Sequence, residues 1–85
     1  MEEHDSRARH FGKRVRAERR RQGLRQEDLA MVSGVGRRFL IELEAGKSTC
    51  RLGPSLAVAA ALGLNVLPDI SAEEELDVSR TRPTP

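Results

Sequence analysis

The chain has no tryptophan, no tyrosine and a single cysteine, Cys50. One cysteine excludes an intramolecular disulfide. His4, His10 and Cys50 lack the spacing of a metal-ligand set, so no metal is expected. With Phe11 and Phe39 as its whole aromatic complement, the chain offers no stacking platform for single-stranded nucleic acid. No apolar run nears the roughly 20 residues that span a bilayer. The charged start Met1-Glu2-Glu3-His4 is unlike a signal peptide, so the expected location is cytoplasmic. There is no Ser/His/Asp set and no phosphate-binding glycine loop, which argues against an enzyme. No cofactor is expected.

Eighty-five residues make one small domain with a modest core. With disulfide and metal set aside, dimerisation is the favoured additional stabiliser. The net charge of +2 hides an asymmetry. Up to Gly53 there are 13 Lys+Arg against 8 Asp+Glu; from Pro54 onward there are 2 against 5. A basic front suits phosphate binding, though a solvated surface has the same composition.

Residues 1–6 read as a flexible polar N-terminus. A first helix is expected from about Arg7 to Gln22, with Phe11 and Val15 on its buried face, Arg19 at the edge of that stripe and Gly23 closing it. A second is expected over about Gln26–Ser33. Glu27 and Asp28 lie in its first turn, where the helix dipole favours acids, and Leu29 and Ala30 face inward. Gly34 allows a sharp turn, and Val35 plugs it. A third helix follows over about Arg37–Glu44, with Leu40 and Leu43 buried and Gly46 closing it. Gly53 as cap and Pro54 as first residue start a fourth helix, in which Leu56, Ala59, Ala60 and Leu62 recur at helical spacing. Leu64-Asn-Val-Leu67 reads as a short strand stopped by Pro68. From Ser71 to the end, the composition is that of an acidic, proline-containing disordered tail. Its acids either meet a basic partner or simply solubilise the chain. The domain itself spans 7–70.

The most informative stretch is Arg25 to Lys47. It reads as two short helices locked at a fixed angle by a tight turn. Burying Leu40 and Leu43 puts Arg37, Arg38 and Glu42 on or near the outer face of the third helix. Such a helix can enter a DNA major groove. There arginine grips guanine through two hydrogen bonds, and glutamate accepts one from cytosine; the alternatives are solvated charges for Arg37 and Arg38 and a surface salt bridge for Glu42. Phe39 packs or touches DNA, and Ile41 packs or meets a thymine methyl. Arg14, Arg16, Arg20 and Arg21 form a dense basic run from which at least one phosphate contact is expected, without the spacing choosing which. Thr49 and Arg51, ahead of the fourth helix, are candidate phosphate contacts or ordinary loop residues.

The pattern Gln26-Glu27-x-Leu29-Ala30-x-x-x-Gly34-Val35-x-x-x-x-Leu40-x-x-Leu43-Glu44-x-Gly46-Lys47 resembles the Xre/Cro-type, lambda-repressor-like helix-turn-helix family over about residues 10–64. The flanks look like the HipB-like antitoxin branch. The resemblance implies an all-α bundle of four to five helices with a short C-terminal dimerising β-strand. It implies a homodimeric, nucleoid-associated repressor of a palindromic double-stranded operator, paired with a HipA-like kinase toxin. It places Arg37, Arg38 and Glu42 at base-reading positions, and Gln26 and Lys47 at DNA-backbone positions. Arg19 and Glu44 fall at the positions of a structural ion pair. Leu64, Val66 and Leu67 fall in the strand that pairs across the dimer.

Three positions depart from the family pattern. Arg25 stands where Ser or Thr usually caps the second helix, and offers a backbone contact in exchange. Gly36 replaces a common serine cap of the third. Ile41 sits where a small polar residue is frequent. A solitary or phage-type regulator is the alternative to an antitoxin. A protein–protein module on the same fold without DNA is the rival of another class.

Overall fold

The computed structural model describes residues 2–64. They form four helices: α1 (Glu2–Arg21), α2 (Gln26–Ser33), α3 (Arg37–Glu44) and α4 (Leu52–Leu62). The expected all-helical domain is observed, and no strand occurs among the described residues. Of the strand expected over 64–67, Leu64 is described and lies outside any strand, while its remainder, with Val66 and Leu67, and the 71–85 tail fall outside the described residues.

The two short helices occupy the spans their patterns predict. Helix α1 starts upstream of Arg7 and takes in residues 2–6. Glu3 and Asp5 lie near its N-terminus, where the dipole stabilises acids. Helix α4 also starts earlier than expected: Arg51 flanks it and Leu52 opens it, so Gly53 is not the cap. Pro54 loses nothing inside the first turn, because those N–H groups have no partner within a helix. The Arg51 carbonyl accepts from the Ser55 N–H at 3.2 Å and from the Ser55 hydroxyl at 2.6 Å. This shift places Ser55, Val58, Ala59 and Leu62 inward and leaves Ala60 exposed.

Each helix supplies one fully buried aliphatic side chain: Val15 from α1, Leu29 from α2, Leu40 from α3 and Val58 from α4. Ala30, Leu43 and Leu62 complete the buried cluster. Phe11, Phe39 and Cys50 pack against it from its margin. Phe39 therefore belongs mainly to the core side of α3. Burial pushes the Cys50 thiol up from its ordinary value, away from the reactive thiolate.

The turn between α2 and α3 rests on Gly34, whose φ of 73° suits glycine. It lets the Val35 N–H reach the Ala30 carbonyl at 3.0 Å, and the Val35 side chain folds onto the core. At the crossing of α1 and α3 the critical residue is Gly12. A Cβ there would stand 2.3 Å from the Leu43 carbonyl oxygen and 2.9 Å from that of Glu44. The absence of a side chain lets α1 lie directly on the C-terminal end of α3.

Candidate nucleic-acid interface

The ion pair expected between Arg19 and Glu44 is formed. Arg19 Nε donates to Glu44 Oε2 at 2.7 Å, and Nη2 donates to Oε1 at 3.0 Å. The remaining guanidinium nitrogen, Nη1, donates to the Leu24 carbonyl at 2.9 Å. Both residues are buried. The Glu44 hydrogen bonds raise the Arg19 pKa above its already high ordinary value, against the opposing effect of burial. Gln26 Nε2 adds a third donor to Glu44 Oε1 at 3.2 Å. One carboxylate thus ties together α1, the start of α2 and the end of α3. Bidentate pairing of this kind fixes orientation as well as adding energy.

Helix α3 is thereby presented with a defined outer face. Arg37, Arg38, Ile41 and Glu42 line a shallow open depression on it. Arg38 is almost wholly exposed, with 90 % of its side chain accessible. Glu42 is half-buried and held from two sides. Lys47 Nζ donates to its Oε1 at 3.1 Å, and Arg38 Nε stands 3.7 Å from its Oε2. The Lys47 hydrogen bond, with Arg38 in support, holds the Glu42 carboxyl below the usual range. Ile41 is partly exposed and borders this depression and a second cleft toward α1.

The residues singled out as backbone contacts differ in exposure and in the partners they already hold. Gln26 is half-buried at the start of α2, and one of its two amide N–H groups is taken by Glu44. Arg25 is exposed and paired with Asp28 at 3.3 Å and Glu27 at 3.7 Å. Asp28 also accepts the Arg25 backbone N–H at 2.9 Å. Asp28 therefore satisfies one of the unpaired N–H groups at this helix start, where a Ser or Thr hydroxyl at position 25 would have accepted from another. That backbone bond, with the guanidinium beside it, lowers the Asp28 pKa. Lys47 is exposed but committed to Glu42. Thr49 and Arg51 are exposed on the loop before α4. Leu64 is half-buried, and its N–H caps α4 through the Ala59 carbonyl at 2.9 Å.

The family described as Helix-turn-helix (HTH_3) matches residues 15–67. The chain belongs to the helix-turn-helix family. It is 48% identical over 65 residues to a protein of Sinorhizobium fredii (strain NBRC 101917 / NGR234) described as an uncharacterized HTH-type transcriptional regulator, y4mF. That similarity covers 76% of this chain and 83% of the relative. No solved structure is significantly similar to the chain.

The sequence left a surface salt bridge open for Glu42 without naming its partners, and left Gly12 unread. The Glu42–Lys47 tether bridges a helix and the following loop, so no periodicity announces it. The Arg38–Glu42 pair has the i, i+4 spacing that marks such contacts and was available to be read. Gly12 also left a signal: an isolated glycine inside a helix costs about 1 kcal/mol relative to alanine, so its presence among good formers asks for a packing reason.

Proposed function

We propose that this protein is a sequence-specific double-stranded-DNA-binding transcriptional repressor. Two copies act on a palindromic operator, with one α3 in each of two successive major grooves roughly 34 Å apart. The observation that carries this reading is the outward row Arg37, Arg38, Ile41 and Glu42 on a helix braced by the buried Arg19–Glu44 pair. A rigidly held helix bearing donors and one acceptor is what direct base readout requires. Gln26, Arg25, Lys47, Thr49 and Arg51 are assigned to the DNA backbone. The relative described as a transcriptional regulator supports the same reading.

Within this proposal the chain represses its own operon as the antitoxin of a HipA-like kinase toxin. Support comes from the resemblance of the Gly34-to-Thr49 stretch and its flanks to that branch. Dimerisation through Leu64, Val66 and Leu67 belongs to the same reading.

The deciding experiment is a fluorescence titration with the DNA upstream of the chain's own coding sequence. Arg37→Ala and Arg38→Ala should each lose about 1–3 kcal/mol of discrimination against a random duplex. Specific binding unchanged in both variants would remove the base-reading assignment. Copurification of the product of the adjacent gene, if kinase-like, tests the toxin partner.

A further inference from the structure

The first helix carries eight of the chain's basic residues, and the sequence did not say which of them meet DNA. The structure separates them. Arg19 is buried against Glu44. Arg21 donates to Glu18 through Nε at 3.0 Å, and Arg14 adds to the positive field on the same carboxylate. That cluster lies toward α4, because Gln22 bridges Glu18 to the Leu62 carbonyl.

Four other residues fall on one stripe at the helical spacing i, i+4, i+7, i+11: Arg9, Lys13, Arg16 and Arg20. Two contacts fix which way the stripe faces. Arg9 packs over Gly46, where an added Cβ would come 2.7 Å from its Cγ. Arg16 and Arg20 wall an open cleft of about 350 Å³ shared with Gln26, Ile41 and Ala45. Glu44 also borders this cleft, but both its oxygens are engaged by Arg19 and one also by Gln26. Among the described residues, none of the four stripe residues pairs with a carboxylate. The cleft therefore brings Arg16 and Arg20, unpaired with any carboxylate among the described residues, together with Gln26, whose amide has one N–H beyond the one given to Glu44.

We propose that Arg16 and Arg20, with Gln26 across the cleft, clamp a phosphate of the DNA backbone, and that Lys13 and Arg9 extend this contact along the strand. The inference rests on the DNA-binding reading above and adds a row of backbone contacts from α1 to those from α2 and the loops. Two arginines lining one cleft suit a phosphate, whose oxygens accept the forked, bidentate bonds a guanidinium offers. The row anchors α1 without reading sequence.

The test is a salt titration of binding to two duplexes of about 30 base pairs, roughly three helical turns. One carries the chain's own upstream sequence and the other a random sequence. Arg16→Gln/Arg20→Gln is compared with Arg7→Gln/Arg14→Gln, which removes equal charge from another side of the same helix. Thermal melts confirm that both variants stay folded. The expected result is that Arg16→Gln/Arg20→Gln weakens both duplexes by the same factor and flattens the slope of log affinity against log salt by about 2. The control should change the slope much less. Equal effects of the two variants would overturn the clamp while leaving Arg37 and Arg38 as base readers. Failure of the unmodified protein to bind either duplex at low salt would overturn the clamp and the DNA-binding reading together.

Discussion

Arg19 spans the interface of α1 and α3 to hold both oxygens of Glu44, at 2.7 and 3.0 Å. No other buried charged pair occurs among the described residues. Removing one partner strands a buried charge, and the usual cost is about 3–5 kcal/mol. Small domains have only about 5–15 kcal/mol in total. Arg19→Met should therefore destabilise the protein by several kcal/mol in urea unfolding. The double variant Arg19→Met/Glu44→Leu should lose less than the two single losses added, because it leaves neither charge alone. A loss below about 1 kcal/mol for Arg19→Met would mean that the pair is not a brace.

Gly12 offers a prediction of opposite sign to helix propensity. Glycine inside a helix costs roughly 0.5–1 kcal/mol relative to alanine, so propensity alone makes Gly12→Ala stabilising. The steric clash is with backbone, since the new Cβ would stand 2.3 Å from the Leu43 carbonyl oxygen. Helices α1 and α3 must separate, and overpacking of this kind costs about 1–3 kcal/mol. Gly12→Ala should lower the thermal midpoint. A raised midpoint would show that the crossing yields freely.

Most of the fold was legible because local signals agreed with each other. Gly34 and Gly46 mark helix ends, acids mark the start of α2, and Leu29, Leu40 and Leu43 mark the buried faces. The start of α4 was misplaced because Gly53-Pro54 is a strong local signal for a helix start, whereas proline fits anywhere in a first turn. Long-range features were legible only through family resemblance. Arg19 and Glu44 are 25 residues apart, and nothing local joins them. Which arginines of α1 face α3 depends on how α1 is rotated in the bundle. That rotation is set by contacts such as Gly12 on Leu43, which no single-helix pattern contains.

The missing cap of α3 is repairable. Gly36 has extended backbone with φ −74° and ψ 152°, and makes no side-chain cap hydrogen bond. An added Cβ meets nothing within 4 Å. A serine hydroxyl there reaches a first-turn N–H, and serine exceeds glycine as a cap by a few tenths of a kcal/mol. Gly36→Ser should raise the thermal midpoint by a degree or more, since about 1 kcal/mol shifts a domain of this size by roughly 4–8 °C. A lower midpoint would contradict the open geometry at this cap.

Acid should weaken the fold partly through Glu18. Hydrogen bonds from Arg21, then Gln22, hold its carboxyl at about 2 rather than the ordinary 4.5. A pKa depressed by folding means a stabilising contribution that is full above 4.5 and vanishes as pH falls toward 2. The group is at the surface, so salt screens the effect. Thermal midpoints measured at low salt across this window should fall less steeply for Glu18→Gln than for the unmodified chain. Parallel curves would show that the Glu18 pairing does not persist in solution.

Glu42 separates base reading from surface pairing. Lys47 at 3.1 Å and Arg38 at 3.7 Å hold its carboxylate in place in the free protein. If it is only a partner for those cations, Glu42→Gln frees two positive groups beside the DNA. Affinity for every duplex then rises, since phosphate attraction carries no sequence information. If Glu42 also accepts a hydrogen bond from cytosine, the amide fits adenine better, and each such mismatch costs about 1–3 kcal/mol. The expected outcome for Glu42→Gln is weaker binding to the upstream DNA together with unchanged or tighter binding to a random duplex. Competition titrations at one fixed salt concentration measure that ratio directly. Equal strengthening on both duplexes would assign Glu42 to the surface alone and leave sequence reading to Arg37 and Arg38.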